Sequence, residues 1–362
     1  MKPAATFRFI PADFIVDEIP AYPPLGSGAH AYVRLQKVGR TTFDCIEGLA
    51  RALTVPSRDI GHAGMKDRHA VTTQWLSIPW SENKPLDPIR SLVIDGMEIL
   101  EVTRHGNKLR PGHLLGNRFA IVLRDVPAGD IEEASAILRN AELQGFPNVF
   151  GPQRFGRDGT NPEWTLSWLR GEVPGPRDPK KRRLLFSSVQ SWLFDRVLAA
   201  RVADGTWRSV IEGDVVKKLD TGGLFDCTDE TEDAQRAERR EVTATGPIFG
   251  ADMRWPKGRV QELERSVLEQ SLRDPEILNQ HAKLGAGTRR ALRAFPTEMS
   301  VRQQVDGTLA VDFVLPKGCY ATTLLGQAFE LNDVHGAGAA TPGSEETSVR
   351  DELLYDSTPA VE

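Results

Sequence analysis

Alternation of apolar and polar side chains dominates the first third of the chain and predicts strands. Residues 7–19 alternate around Asp13-Phe14-Ile15-Val16-Asp17-Glu18, and residues 28–39 read as a second strand ending in Lys37 and Arg40. Gly26-Ser27-Gly28 between them reads as a turn, because a dinucleotide-binding glycine fingerprint needs a strand running into a helix. The spacing then changes. Phe43, Ile46, Leu49 and Leu53 fall near one helical face over residues 41–53, and Thr41 with Asp44 loosely matches a capping box. Segments rich in β-branched and aromatic residues predict further strands at 71–80, 96–103 and 116–123. A helix is expected over 130–143, with Asp130 as N-cap and Glu133 at the capping-box position.

The second half is less regular. A proline- and glycine-rich stretch at 174–179 suggests a domain boundary, and residues 177–183 carry five bases and one acid, either a solvated face or the rim of a groove. Residues 184–202 read as a long helix with apolar residues on more than one face. The mixed stretch 204–296 includes a charged segment at 226–241, a helix at 261–272 and a short basic helix at 287–293. Segments 297–305 and 309–315 flank Asp306-Gly307, a strong hairpin signal.

A chain of 362 residues with 40% hydrophobic and 26% charged residues has an ordinary soluble composition and makes two domains. No signal-peptide core and no apolar stretch of membrane-spanning length is present. Cys45, Cys227 and Cys319 are too few and too far apart for a disulfide framework, and the seven histidines show no metal-ligand spacing. A cytoplasmic monomer is expected. The net charge of −5 is localised: residues 341–362 hold six acids and Arg350, so subtracting six from 50 acids and one from 45 bases leaves 44 of each. The acidic tail, 336–362, is expected to be disordered, and a neutral body still accommodates a basic groove. Arg104-His105-Gly106-Asn107-Lys108-Leu109-Arg110-Pro111-Gly112-His113 is either a solvated loop or a phosphate-contacting one.

Gly61-His62-Ala63-Gly64-Met65-Lys66-Asp67-Arg68-His69-Ala70-Val71-Thr72-Thr73-Gln74-Trp75-Leu76-Ser77 concentrates the chemistry. Asp67 stands between Lys66 and Arg68, two cations that favour an ionised carboxylate, on a loop that leads into a strand. Such a carboxylate suits a nucleophile or general base, and a solvated charge cluster is the plainer alternative. A second unusual block, Pro147-Asn148-Val149-Phe150-Gly151-Pro152-Gln153-Arg154-Phe155-Gly156, is neither helix nor ordinary strand.

Within the first run, Gly64 to Thr72 followed by Gln74-Trp75 resembles the signature of the TruD family of tRNA pseudouridine synthases. The second resembles that family's Asn-x-Phe-Gly-x-Gln-Arg-Phe-Gly motif, and Leu315-Pro316-Lys317-Gly318-Cys319-Tyr320-Ala321-Thr322 its last motif, in which phenylalanine is frequent where Tyr320 stands. Residues 13–19 and 30–42 resemble its N-terminal block. The resemblance covers about residues 8–172 and 297–330. It implies an α+β fold: a mixed or antiparallel-sheet pseudouridine synthase catalytic domain, formed by residues 1–172 and 298–335, with an inserted α/β TRUD domain at 173–297 and a cleft between them. It further implies that Asp67 is catalytic, that Asn148 lies beside it, and that Phe150 contributes to the uridine pocket. Phe14 and Tyr320 are the other aromatic candidates, and Arg8 and Lys66 the basic ones; Arg8 aligns with a basic position near the family's active site and is either a partner for Asp67 or a surface strand arginine. The implied partner is tRNA, at uridine-13 of the D arm, with no cofactor and no metal. A non-catalytic RNA-binding module on the same fold is the competing reading. A carboxylate hydrolase ranks last, because no second acid stands at suitable spacing from Asp67.

Overall fold

The structure is a computed structural model that describes residues 2–156 and 158–335. The first half supplies strands β1 (Ala4–Phe7), β2 (Phe14–Pro20), β3 (His30–Val38), β4 (Gly61–His62), β5 (Val71–Pro79), β6 (Met97–His105), β7 (Leu114–Leu123) and β8 (Phe146–Pro147). The second half adds β9 (Val215–Lys218), β10 (Leu224–Asp226), β11 (Val242–Ile248), β12 (Thr288–Ala291), β13 (Arg293–Ala294), β14 (Thr297–Gln303), β15 (Leu309–Pro316) and β16 (Glu330–Asp333).

The main sheet runs β14-β15-β7-β2-β5-β3-β6, with the short β4 paired to β5. Within it only β2 and β5 run parallel, in the register Ile15↔Val71, so the sheet is mixed. β5 is buried almost throughout, as a strand covered on both faces must be. One hydrophobic cluster holds Phe14, Val16, Phe119, Ile121 and Phe313. Another holds Val33, Leu35, Leu76 and Ile78 against Ile46 and Leu49 of the helix Thr42–Leu53. That helix starts where its capping box forms. The Asp44 N–H donates to Thr41 Oγ1 at 3.1 Å, and the Thr41 N–H to Asp44 Oδ2 at 2.7 Å. Such a cap contributes about 1 kcal/mol.

A second sheet, β10-β9-β11-β12, packs on the helix Pro179–Ala203, whose Phe194 and Leu198 share a cluster with Val216, Ala244 and Leu292. β13 pairs with β8 through Ala294↔Phe146, and β1 pairs in parallel with β16 through Phe7↔Asp333. The whole is an α+β fold. Among the described residues no helix is long and apolar enough to cross a membrane.

Several expectations change. The strand expected over 7–19 is two strands, because Arg8 takes a left-handed φ of 56° and Pro11 opens a 3₁₀ turn at Pro11–Asp13. Residues 287–293 are not a helix; Thr288-Arg289-Arg290-Ala291 is extended and pairs with β11. The helix Ile131–Gln144 forms, but Asp130 makes no side-chain cap because a preceding 3₁₀ turn, Ala128–Asp130, already fills that place. The strands β9 to β11 lie in the stretch whose mixed pattern had suggested only helices and a charged run. The long helix begins at Pro179, so Lys180, Lys181, Arg182 and Arg183 belong to its start. The acidic tail lies outside the described residues.

Candidate active site

Asp67 sits on the loop between β4 and β5. Gly61 lets that loop start tightly, since a Cβ there would collide with the Leu109 carbonyl oxygen and meet Ser77 Oγ at 2.6 Å. The loop is tied down on both sides of Asp67. Before it, the Lys66 N–H donates to Thr42 Oγ1 at 2.9 Å. After it, the His69 N–H donates to Asp67 Oδ1 at 2.8 Å. The fully buried Lys37 donates to the carbonyl oxygens of Asp67 and Arg40, each at 2.6 Å. Burial pushes its ammonium down to about 8. The side chain of Asp67 remains 31% exposed, so it is fixed yet reachable.

The cation facing this carboxylate is not a sequence neighbour. Lys66 turns to Glu18, Nζ to Oε2 at 2.6 Å, with side chains only 4% and 1% exposed. Arg68 turns to Asp44 at 3.3 Å. The expectation that Lys66 and Arg68 flank the charge therefore fails, because each has its own carboxylate. Lys66 is committed to a buried ion pair. The partner of Asp67 is Arg8, which donates to Oδ2 and whose other nitrogens donate to Asp333, one of them at 3.0 Å. Burial opposes the charge on Arg8, but Asp67 and Asp333 together outweigh it and raise its pKa. Phe14 lies beneath, with Arg8 5.9 Å from its ring centroid. Its own ring is buried between Phe7 at 5.1 Å and Phe119 at 6.1 Å, so it supports Arg8 from the core.

A second group gathers Asn148, Phe150 and Tyr320. Asn148 is buried; its Nδ2 donates to the Ala291 carbonyl at 2.9 Å and its Oδ1 accepts from Arg290 at 2.7 Å. Phe150 meets Phe194 edge-on at 5.6 Å and Tyr320 at 6.2 Å, with Arg290 4.1 Å and Arg154 5.5 Å from its centroid. A Cβ on Gly151 would come within 2.9 Å of the Tyr320 ring, so only glycine lets the two segments approach this closely. The hydrogen bonds of the Asp67 carboxylate go to Arg8 and His69 and not to this second group. Both groups are nevertheless mounted on one hydrophobic cluster: Phe14 and Ala70 flank the first, and Phe146, Cys319 and Ala321 flank the second.

The family model described as tRNA pseudouridine synthase D (TruD) matches residues 4–163 and 178–327. A tRNA pseudouridine synthase D of Anaeromyxobacter sp. (strain Fw109-5) is 44% identical over 350 residues, 94% of this chain and 95% of the relative. The chain belongs to the tRNA pseudouridine synthase D family. A Thermus thermophilus member is 40% identical over 324 residues, covering 90% of this chain and 88% of its own. The fold also matches a Methanosarcina mazei crystal structure assigned to the same family, with a TM-score of 0.70 at 21% identity, over 92% of this chain and 95% of that one.

As a member of that family the chain is a pseudouridine synthase, an isomerase. Three residues around its candidate site carry no signal in the sequence motifs. Arg290 was hidden by the mistaken helix. Asp333 lies outside every recognised motif and reaches Arg8 only because β16 pairs with β1. Asp195, on the long helix, accepts the Phe150 N–H at 2.9 Å, and burial pushes its carboxyl up to about 7 against the pull of that N–H and of Arg290. In the basic loop 104–113 two of the cations have partners within the protein. Arg104 donates to the carbonyls of Gly28, Trp80, Ser81 and Lys84, and Lys108 to that of Arg58. These cations hold the loop itself, and Arg110 is its exposed one. Among the described residues no group of three or more His, Cys, Asp or Glu side chains is arranged to hold a metal ion.

Proposed function

We propose that this chain isomerises uridine to pseudouridine in tRNA, at uridine-13 of the D arm, working as a cytoplasmic monomer without metal or cofactor. Asp67 starts the reaction as nucleophile or base. The N1–C1′ bond breaks, the uracil turns, and C5 bonds to C1′; the proton lost from C5 is balanced by the one gained at N1. Every atom of the substrate is kept, so no oxidant or reductant enters. The observation that carries this reading is the side chain of Asp67, oriented by the His69 N–H and Arg8 yet 31% exposed.

The target base has to leave its stack to reach that carboxylate, at a cost on the order of a few kcal/mol. Contact with Phe150 and Tyr320 offsets about 1–3 kcal/mol of it. Asn148 presents polar atoms beside those rings. Residues 173–297, read as the inserted domain, form the other wall of the RNA cleft. Exposed Lys180, Arg182 and Arg183, at the start of the long helix, neutralise phosphates there.

The deciding experiment incubates the protein with unmodified tRNA and maps pseudouridine. Appearance of the product at uridine-13 is expected. Salt-dependent binding without product would replace the enzymatic reading with the RNA-binding one.

A further inference from the structure

The segments carrying Asn148, Phe150 and Tyr320 are irregular chain, and such chain needs anchoring from elsewhere if it is to hold a base in one geometry. The anchor comes from β12. Strand alternation sends its two adjacent arginines to opposite sides. Arg289 turns inward and makes a fully buried, two-point pair with Glu264 at 2.7 and 2.8 Å. Arg290 turns the other way, toward the motif segments. Its Nη2 donates to Asn148 Oδ1 at 2.7 Å and to the Gly318 carbonyl at 2.8 Å. Its Nε and Nη2 both donate to the Asn148 carbonyl at 3.2 Å. The same guanidinium lies 4.1 Å from the Phe150 centroid.

We infer that Arg290 is a positioning residue for the substrate pocket, fixing the Asn148 amide and the Phe150 ring against the loop that presents Tyr320. The inference rests on reading those three residues as the uracil pocket. Only a planar fork of donors stacks on a ring while bonding to both neighbouring segments; a lysine ammonium offers a point charge and no face. Asp195 adds to the arrangement by holding the Phe150 main chain. The pocket geometry is thus set from the second sheet, by a residue that need not touch the RNA.

The test compares Arg290→Lys and Arg290→Gln with the wild type as full-length chains, measuring thermal unfolding, tRNA affinity and single-turnover pseudouridine formation. Displacing a pocket by about 1 Å costs on the order of 100-fold in rate. The expected result is a loss of that order in the maximal rate, with Lys milder than Gln, at nearly unchanged melting temperature and tRNA affinity. Equal maximal rates, or a loss confined to KM, would overturn the inference, the second because it would mean direct RNA contact. So would a rate loss that tracks a fall in melting temperature. A wild-type chain that makes no pseudouridine would sink the pocket reading and this inference with it, whereas an active wild type with an equally active R290K would sink this inference alone.

Discussion

Arg8 donates to Asp67 with one guanidinium nitrogen and to Asp333 with two others, so one buried cation stands between two carboxylates. Asp333 takes the two-point side of the fork, which fixes the plane of the guanidinium. That plane determines which nitrogen is left for Asp67. The His69 N–H holds the other oxygen of Asp67, so both carboxylate oxygens are oriented before any substrate arrives.

Asp67→Asn keeps the shape and lets Oδ1 still accept the His69 N–H, while removing the charge. Pseudouridine formation should fall by at least about a thousandfold, the scale seen when a nucleophile is removed. Affinity for tRNA should stay within about twofold, because phosphate contacts dominate binding. Single-turnover product mapping and filter binding on the same preparation check both halves. Turnover near the wild-type rate would remove Asp67 from the mechanism.

Asp333→Asn leaves Arg8 with Asp67 as its one anionic partner and loosens the guanidinium plane. The expected effect is about a tenfold drop in maximal rate, equivalent to about 1.4 kcal/mol of lost transition-state stabilisation, with KM for tRNA little changed. Asp333→Glu, which restores charge on a longer arm, should recover part of the rate. If D333N and D333E were equally impaired, charge on this residue would have no part in orienting Arg8.

Local features of this chain were legible in sequence, and most relations between distant segments were not; the pairing of Arg8 with Asp67 is the exception, legible through the family resemblance. Thr41 and Asp44 announce a capping box three residues apart, and the box forms. Asp306-Gly307 announces a hairpin, and β14 and β15 flank it with Gly307 at a φ of 83°. Around Asp67, adjacency in sequence misleads. Lys66 and Arg68 stand next to it in sequence but point to Glu18 and Asp44, while Asp333, 325 residues from Arg8, completes the arrangement. No local pattern encodes a contact made by pairing β1 with β16. Arg290 was missed for a different reason. A four-residue strand is too short for its period to stand out, and two adjacent arginines look like one charged surface when they serve opposite sides of a sheet.

Lys66 and Glu18 form a buried pair, so the charge on Lys66 can be tested as a contribution to stability. Lys66→Met leaves the Glu18 carboxylate uncompensated and should destabilise the fold by about 3–5 kcal/mol. Adding Glu18→Gln to that variant removes the stranded charge and should restore most of the loss. Denaturant unfolding of the two variants measures this directly. A K66M protein as stable as the wild type, but unable to bind tRNA, would return Lys66 to the substrate-contacting role that its sequence position suggests.

Asp195 gives a test by pH. Its carboxyl ordinarily titrates near 3.8 and is pushed up to about 7, chiefly by burial. Between those two pH values the folded chain keeps a proton that the unfolded chain has shed. Raising pH through the window therefore costs stability, and above about 7 the loss is complete. Asp195→Asn cannot titrate, yet its amide oxygen still accepts the Phe150 N–H. The variant should therefore gain in melting temperature relative to the wild type as pH rises from about 4 to about 7, with a constant difference above that. Its activity at neutral pH should stay near the wild-type level, because the bond that holds Phe150 survives. Melting curves that run parallel across the whole range would show that Asp195 titrates alike in the folded and unfolded chains.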